Sequence, residues 1–155
     1  MDAPKVREFL DLLAKQIEEL EMETKLDVAQ SEAQLGPTLR TLLPMIGSKG
    51  DVALTEILVT QLDDDSDLLF FYTTMIMEIG PGYEALKEMV LDWNLESPVG
   101  AFGIYRQGRQ FYHKYTFPFP KDTAPKALAD RAMVLLELIC EVVSGRFSEA
   151  VKLSG

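Results

Sequence analysis

Val99-Gly-Ala-Phe-Gly-Ile-Tyr-Arg-Gln-Gly-Arg-Gln-Phe-Tyr-His-Lys-Tyr-Thr-Phe-Pro-Phe-Pro120 reads as two β-strands around a tight turn. Gln107-Gly108 sits at the tip, where glycine permits the close reversal. In the second arm Phe111, His113, Tyr115, Phe117 and Phe119 fall on one face, and Tyr112, Lys114, Thr116 and Pro118 on the other. Pro118 and Pro120 have no amide to donate, so this arm ends there or lies at an edge. A cap-then-proline signal follows, Asp122-Thr-Ala-Pro125. It opens a helix whose Leu128, Ala132, Leu135, Ile139 and Val142 recur at 4-3-4-3 spacing, a stripe that Met133, Leu136, Leu138 and Val143 widen. Gly145 is the expected stop.

Upstream of the hairpin, Gly80-Pro-Gly82 breaks the chain, and Tyr83, Leu86, Val90 and Trp93 mark a short amphipathic helix. Before it lie three strand-like runs, residues 38–46, 51–62 and 68–79, joined by turns at Gly47-Ser-Lys-Gly50 and Asp63-Asp-Asp-Ser-Asp67. Short turns imply an antiparallel meander. The third run is apolar on both faces, with Leu69, Phe71, Met75 and Met77 on one and Leu68, Phe70, Tyr72 and Ile76 on the other. Such a strand is covered on both sides or turns one face to a partner. At the start, Asp2 and Pro4 open a helix striped by Val6, Leu10, Leu13, Ile17 and Leu20. Residues 21–34 are polar, and Gly36-Pro37 ends them. The reading is one α+β domain over residues 1–155, in the order α-β-β-β-α-β-β-α, with an antiparallel sheet packed by helices.

Composition narrows the function. A formal net charge of -10 repels polyanions, so nucleic acids and anionic membranes are poor partners. No run reaches the ~18–20 apolar residues a bilayer crossing needs. The first residues lack a basic stretch followed by an apolar one, so no secretory signal is read there, and a cytoplasmic location is the default. The single cysteine, Cys140, cannot form an internal disulfide or a multi-cysteine zinc site. The charge is uneven: residues 99–121 hold Arg106, Arg109, Lys114 and Lys121 with no acid, +4 against -14 for the rest. Arg106 and Arg109 at the hairpin tip are therefore candidates for contact with an anion or an acidic partner.

Catalytic readings are weak. His113 is the only histidine and stands among aromatics, without a nucleophile motif, so a packed or interface histidine fits better than a general base. Cys140 lies near a helix C-terminus, where the dipole disfavours a thiolate. Asp63, Asp65 and Asp67 match the first ligands of a calcium loop, but Leu68 and Thr74 stand where glycine and glutamate are required. Gly80-Pro-Gly82 lacks the spacing of a phosphate loop, and Pro81 removes an amide such a loop would use. A carboxylate pair, Glu56 with Glu78, would need to share a pocket to do chemistry. No catalytic residue, cofactor or metal ligand is expected.

The order of elements, the size and the acidity resemble the type III secretion chaperone-like fold, which includes secretion chaperones and the bacterial YbjN family. Asn94-Leu95, Phe102-Gly103, Tyr115 and Phe117-Pro118 carry the local match, between a helix end and a long closing helix. The resemblance implies a non-enzymatic, often dimeric protein, chaperone- or adaptor-like, that holds a protein or peptide partner on apolar surface. On this reading Phe70, Tyr72, Ile76, Arg106 and Arg109 are the candidate partner-binding residues. Phe111, His113 and Tyr115 are the candidate homodimer interface. The alternative is a small-molecule or anion-binding regulatory domain that uses the basic 106–109 hairpin.

Overall fold

A computed structural model describes residues 1–22, 24–27 and 36–155. Of the polar stretch 21–34, residue 23 and residues 28–34 lie outside the described residues. The elements are α1 (Ala3–Glu18), β1 (Thr24–Asp27), β2 (Thr38–Pro44), β3 (Val52–Gln61), β4 (Ser66–Ile76), α2 (Tyr83–Glu96), β5 (Ala101–Tyr105), β6 (Gln110–Pro120) and α3 (Pro125–Ser154). The order expected from sequence is present, with one addition. The four-residue strand β1 pairs with β2, its Thr24 opposite Thr41 and its Asp27 opposite Thr38. Thr-Lys-Leu-Asp is too short and too polar to reveal a strand period; its partner defines it. The sheet is antiparallel throughout and runs β1-β2-β3-β4-β6-β5.

The N-terminal helix forms as its signals require. The Asp2 carboxylate accepts the Lys5 amide at 3.0 Å, Pro4 occupies the first turn, and Val6, Phe9, Leu10, Leu13 and Ile17 are buried. The helix stops at Glu18, and Glu21 turns into the left-handed region at φ 60°. Leu20 thus falls off the end of the stripe and is 55% exposed.

The closing helix departs from expectation at both ends. Asp122 does not cap it; Ala124 stands at the cap position without a side-chain bond, and Pro125 supplies the preorganised first turn. Gly145 does not stop it either. Phe147, Ala150 and Ser154 continue the buried stripe beyond the glycine, and that packing outweighs a helix-propensity cost of about 1 kcal/mol. The last turn closes on the 80–82 loop: the Gly82 amide donates to the Ser154 carbonyl at 3.0 Å and the Gly80 amide to Ser154 Oγ at 2.9 Å. A methyl on Gly82 would stand 1.6 Å from the Leu153 carbonyl oxygen, so only glycine fits that crossing.

The helices and one face of the sheet form the core. Leu39, Leu43, Ile57, Leu69, Phe71 and Phe111 from the strands join Phe9, Leu10, Leu13, Ile17, Leu86, Trp93 and the α3 stripe in one buried cluster. A polar row crosses this covered face. Thr41, Thr55, Thr73, His113 and Phe102 lie opposite one another on successive strands, all buried, with the Thr55 and Thr73 hydroxyls 2.9 Å apart. The opposite face carries none of the cluster: Leu42, Leu54, Leu58, Leu68, Phe70 and Tyr72 are not part of it. The described residues therefore form two layers, helices on one side and on the other a sheet face over which none of those helices lies. No described helix is long and apolar enough to cross a membrane.

Replacing Gly145 tests the through-running helix. Its φ is not positive, and a methyl there meets nothing within 4 Å. Gly145→Ala is expected to stabilise the protein by about 0.5–1 kcal/mol, read as a raised midpoint in urea. A helix that broke at Gly145 would instead be destabilised by the same change.

Candidate functional site

The open face is built by cross-strand pairing. Arg40 lies opposite Glu56 and Glu56 opposite Tyr72; Tyr72 lies opposite Lys114. The next rows bring Leu58 to Phe70 to Thr116, and Leu54 to Thr74 to Tyr112 to Gly103. Because side chains alternate along each strand, these residues all project away from the helices.

Aromatic rings form its centre. Tyr72 and Tyr112 stack with centroids 4.7 Å apart and planes 25° apart. Tyr112 lies against Gly103, where any Cβ would come within 2.6 Å of its ring. The glycine of the edge strand is thus the seat of the tyrosine. Lys114 Nζ sits 4.8 Å over the Phe70 ring. Beside the rings is a shallow depression of about 260 Å³ lined by Thr38, Arg40, Glu56, Leu58, Thr60, Phe70 and Tyr72. Arg40 Nε meets Glu56 Oε2 at 3.1 Å on its rim. Burial, then the neighbouring Tyr112 and Glu56, push the Tyr72 phenol up to about 12.

The face differs electrostatically from the rest of the chain. Of 25 acidic residues only Glu56 stands on it across β2–β6, beside two basic ones, Arg40 and Lys114. It is apolar and free of net negative charge in a protein of net charge -10.

The candidate residues read from sequence separate into three groups. Phe70 and Tyr72 are on the open face. Ile76 is not: a bulge between Thr74 and Ile76 inverts the alternation, so Ile76 pairs with Phe111 and packs against the core. The two arginines of the hairpin do not converge. Arg106 is exposed in the turn, whereas Arg109 folds back at φ 51° and is spent on structure. Its Nε and Nη2 donate to the Ile79 carbonyl at 3.1 and 2.9 Å and Nη2 to Gly80 at 2.9 Å, and the guanidinium lies 4.9 Å over Tyr83.

The strand residues assigned to a homodimer interface face inward. Phe111 and His113 are fully buried, and Tyr115 is half-buried against the same core. Phe111 stacks on Phe102 and meets Trp93 at a tilt of 58°, and His113 meets Phe102 edge-on at 5.0 Å. Helix packing covers this side of the strand, which leaves Phe111 and His113 no solvent-facing surface and Tyr115 only part of its own. Tyr112, Leu58 and the Arg40–Glu56 pair were not singled out together from sequence. Only the register across β2, β3, β4 and β6 unites them.

Both edges of the hairpin's outer strand bear on what can dock. Asn94 Nδ2 donates to the Phe102 carbonyl at 3.0 Å, and its Oδ1 accepts the Phe102 amide at 2.6 Å. One side chain thereby occupies the outward backbone groups of Phe102, as a neighbouring strand would.

The groups that suggested chemistry are engaged elsewhere. His113 Nε2 is 2.9 Å from the Val99 carbonyl, to which it donates. The Cys140 thiol donates to the Pro44 carbonyl at 3.3 Å, and burial pushes its pKa up. Asp63 Oδ1 accepts the amides of Asp65 and Ser66 at 2.9 and 2.7 Å, the geometry of a turn. Glu78 lies beyond β4, outside the depression that holds Glu56. Among the described residues no group of three His, Cys, Asp or Glu side chains could hold a metal ion.

Two titrations follow. Tyr72 is expected to ionise near pH 12, so spectrophotometric titration of Tyr72→Phe should lack the corresponding phenolate step. Loss of an ordinary step near 10 would mean that Tyr72 is freely solvated. His113 is held below the usual imidazole value by burial, opposed by its bond to Val99. The folded protein keeps it neutral while the unfolded chain takes up a proton below about pH 6.5, so stability falls as pH drops through that value. Urea unfolding between pH 7 and 5 should show this loss, and His113→Phe should flatten it; an equal slope in the variant would overturn the assignment. Compared with known proteins, the chain matches no family model and no curated protein.

Proposed function

We propose that the protein is a non-catalytic binding module, chaperone- or adaptor-like, that holds another polypeptide on the open face of its sheet. One observation carries this reading: a sheet face rich in leucine and aromatic side chains, free of net negative charge, over which no helix lies among the described residues. Apolar patches of that kind on a folded chain mark interaction surfaces. The stacked Tyr72–Tyr112 pair and the Lys114–Phe70 contact hold large side chains in place before binding, which limits the ordering cost of association. The resemblance to secretion chaperone-like and YbjN-like proteins supports the same class of function. The engaged states of His113 and Cys140 support a role without catalysis. The anion-binding alternative is weakened by Arg109, whose guanidinium is already committed to two backbone carbonyls.

The test compares the half-buried sheet face with the exposed apolar side of α2. Tagged protein is bound to resin at moderate salt and washed, and the retained polypeptides, further copies of the chain included, are identified by mass. Phe70→Glu and Tyr72→Glu are expected to lose the retained chain. Leu91→Glu and Leu95→Glu, on the exposed side of α2, should keep it. Retention unaffected by the sheet variants would remove the open face from the function.

A further inference from the structure

We infer that the cleft between the end of α2, the start of β5 and the middle of α3 is a second binding site, separate from the sheet face, and that it takes a free amino acid or a zwitterion of that size. Its volume is about 290 Å³, and Trp93, Glu96, Phe102, Glu141, Gly145 and Arg146 are in its lining. Small-molecule sites run from ~300 to ~1,000 Å³, so the occupant is compact. The three elements that build the cleft lie wholly within the described residues.

Two features of the lining lack a structural reason and gain one from a ligand. The first is Trp93. It is 1% exposed and meets Phe102 edge-on at 5.9 Å, and its Nε1–H has no acceptor among the described residues. A buried donor without a partner is costly, and native structures rarely leave one. The second is Gly145. Glycine is the weakest helix former after proline, yet it stands inside α3. Its φ is not positive, and a methyl there meets nothing within 4 Å. Neither backbone conformation nor crowding calls for glycine at this position. Its place in the lining does, because a longer side chain would project over the cleft.

The charged groups select the ligand. The Arg146 guanidinium lies 5.5 Å over the Trp93 ring and pairs with Glu96 through Nη2. Its other N–H groups and the indole N–H are donors that suit a carboxylate. Glu141 makes no ion pair among the described residues and is an acceptor that suits an ammonium. The two ends of a free amino acid answer these two sets, and the Phe102 ring gives an apolar wall to its side chain. A simple anion would be repelled by Glu141, and a simple amine would leave the indole N–H without an acceptor.

Trp93 is the only tryptophan of the chain, so its fluorescence reports on the cleft directly. The standard amino acids are titrated one by one, to millimolar concentration, into the full chain, with the heat of binding as a second readout. At least one is expected to shift the emission saturably and to give heat. Its N-acetyl derivative, which lacks the ammonium, should bind about ten- to a hundredfold more weakly, the worth of one charge-assisted hydrogen bond. Glu141→Gln should weaken the free amino acid by a similar factor. Gly145→Leu, which puts a strong helix former into α3, should abolish binding. If that variant loses its helical dichroism, Glu141→Gln, at an exposed position, decides. The inference is overturned if no amino acid shifts the emission or gives heat, in which case water serves the indole N–H. It is overturned equally if the N-acetyl form binds as tightly as the free one, or if Glu141→Gln or a folded Gly145→Leu binds as the wild type does.

Discussion

The structure is governed by a mismatch: β4 brings apolar side chains to both faces of the sheet, but the three helices cover only one. Leu69 and Phe71 are fully buried beneath the helical layer, while Phe70 and Tyr72, their immediate neighbours, project from the other side. Layers are stable when each apolar face meets another layer, and no helix among the described residues lies over this one. What remains is partial mutual cover. Tyr72 lies on Tyr112, Tyr112 lies on Gly103, and Lys114 lies along Phe70. These contacts reduce the exposed area without removing it.

The covered face is closed by the β5–β6 hairpin and α2. Trp93, Phe102 and Phe111 form an aromatic triangle with centroids 5.8 to 5.9 Å apart. Arg146 of α3 lies 5.5 Å over the Trp93 ring and pairs with Glu96, tying the last helix to α2. Gly100, at φ 67°, lets the chain enter β5 close to the His113 ring, which a Cβ there would approach at 2.6 Å. Asn94 then holds β5 by its backbone. The same few residues fix the position of Gly103, and so of the tyrosines on the opposite face. Packing inside the core and geometry of the open face are coupled through one short strand.

The elements were legible in sequence because periodicity and chain breakers operate locally. The stripe of α1, the turn at Gln107-Gly108 and the two-sided character of β4 all appear within a few residues. Three features were not local. The end of α3 depended on the cover that Phe147 and Ala150 find elsewhere in the fold, so Gly145 misled. The bulge after Thr74 inverted the alternation, which moved Ile76 from the predicted patch to the core. The direction of the hairpin's aromatic face could not be read from alternation, because alternation tells which residues travel together but not which side the helices take. Phe111 and His113 therefore looked as available to a partner as Phe70 and Tyr72 did.

The manner of protection at the edge and at the face points to different demands. At β5 the hydrogen-bonding groups of Phe102 are filled by an amide side chain, a device that discourages uncontrolled strand addition. Among the described residues no equivalent device guards the face. Its Glu56 carboxylate is paired, the Tyr72 and Tyr112 rings hold each other, and the one cation over a ring is Lys114 on Phe70. A chain that only needed to remain separate would gain from a lysine or glutamate at Leu54 or Leu68, which are only partly buried. Those positions are leucine instead, and the acids lie elsewhere. The distribution discourages pairing through the edge while leaving packing through the face open, which is the distinction a selective binding surface on a β-sheet requires.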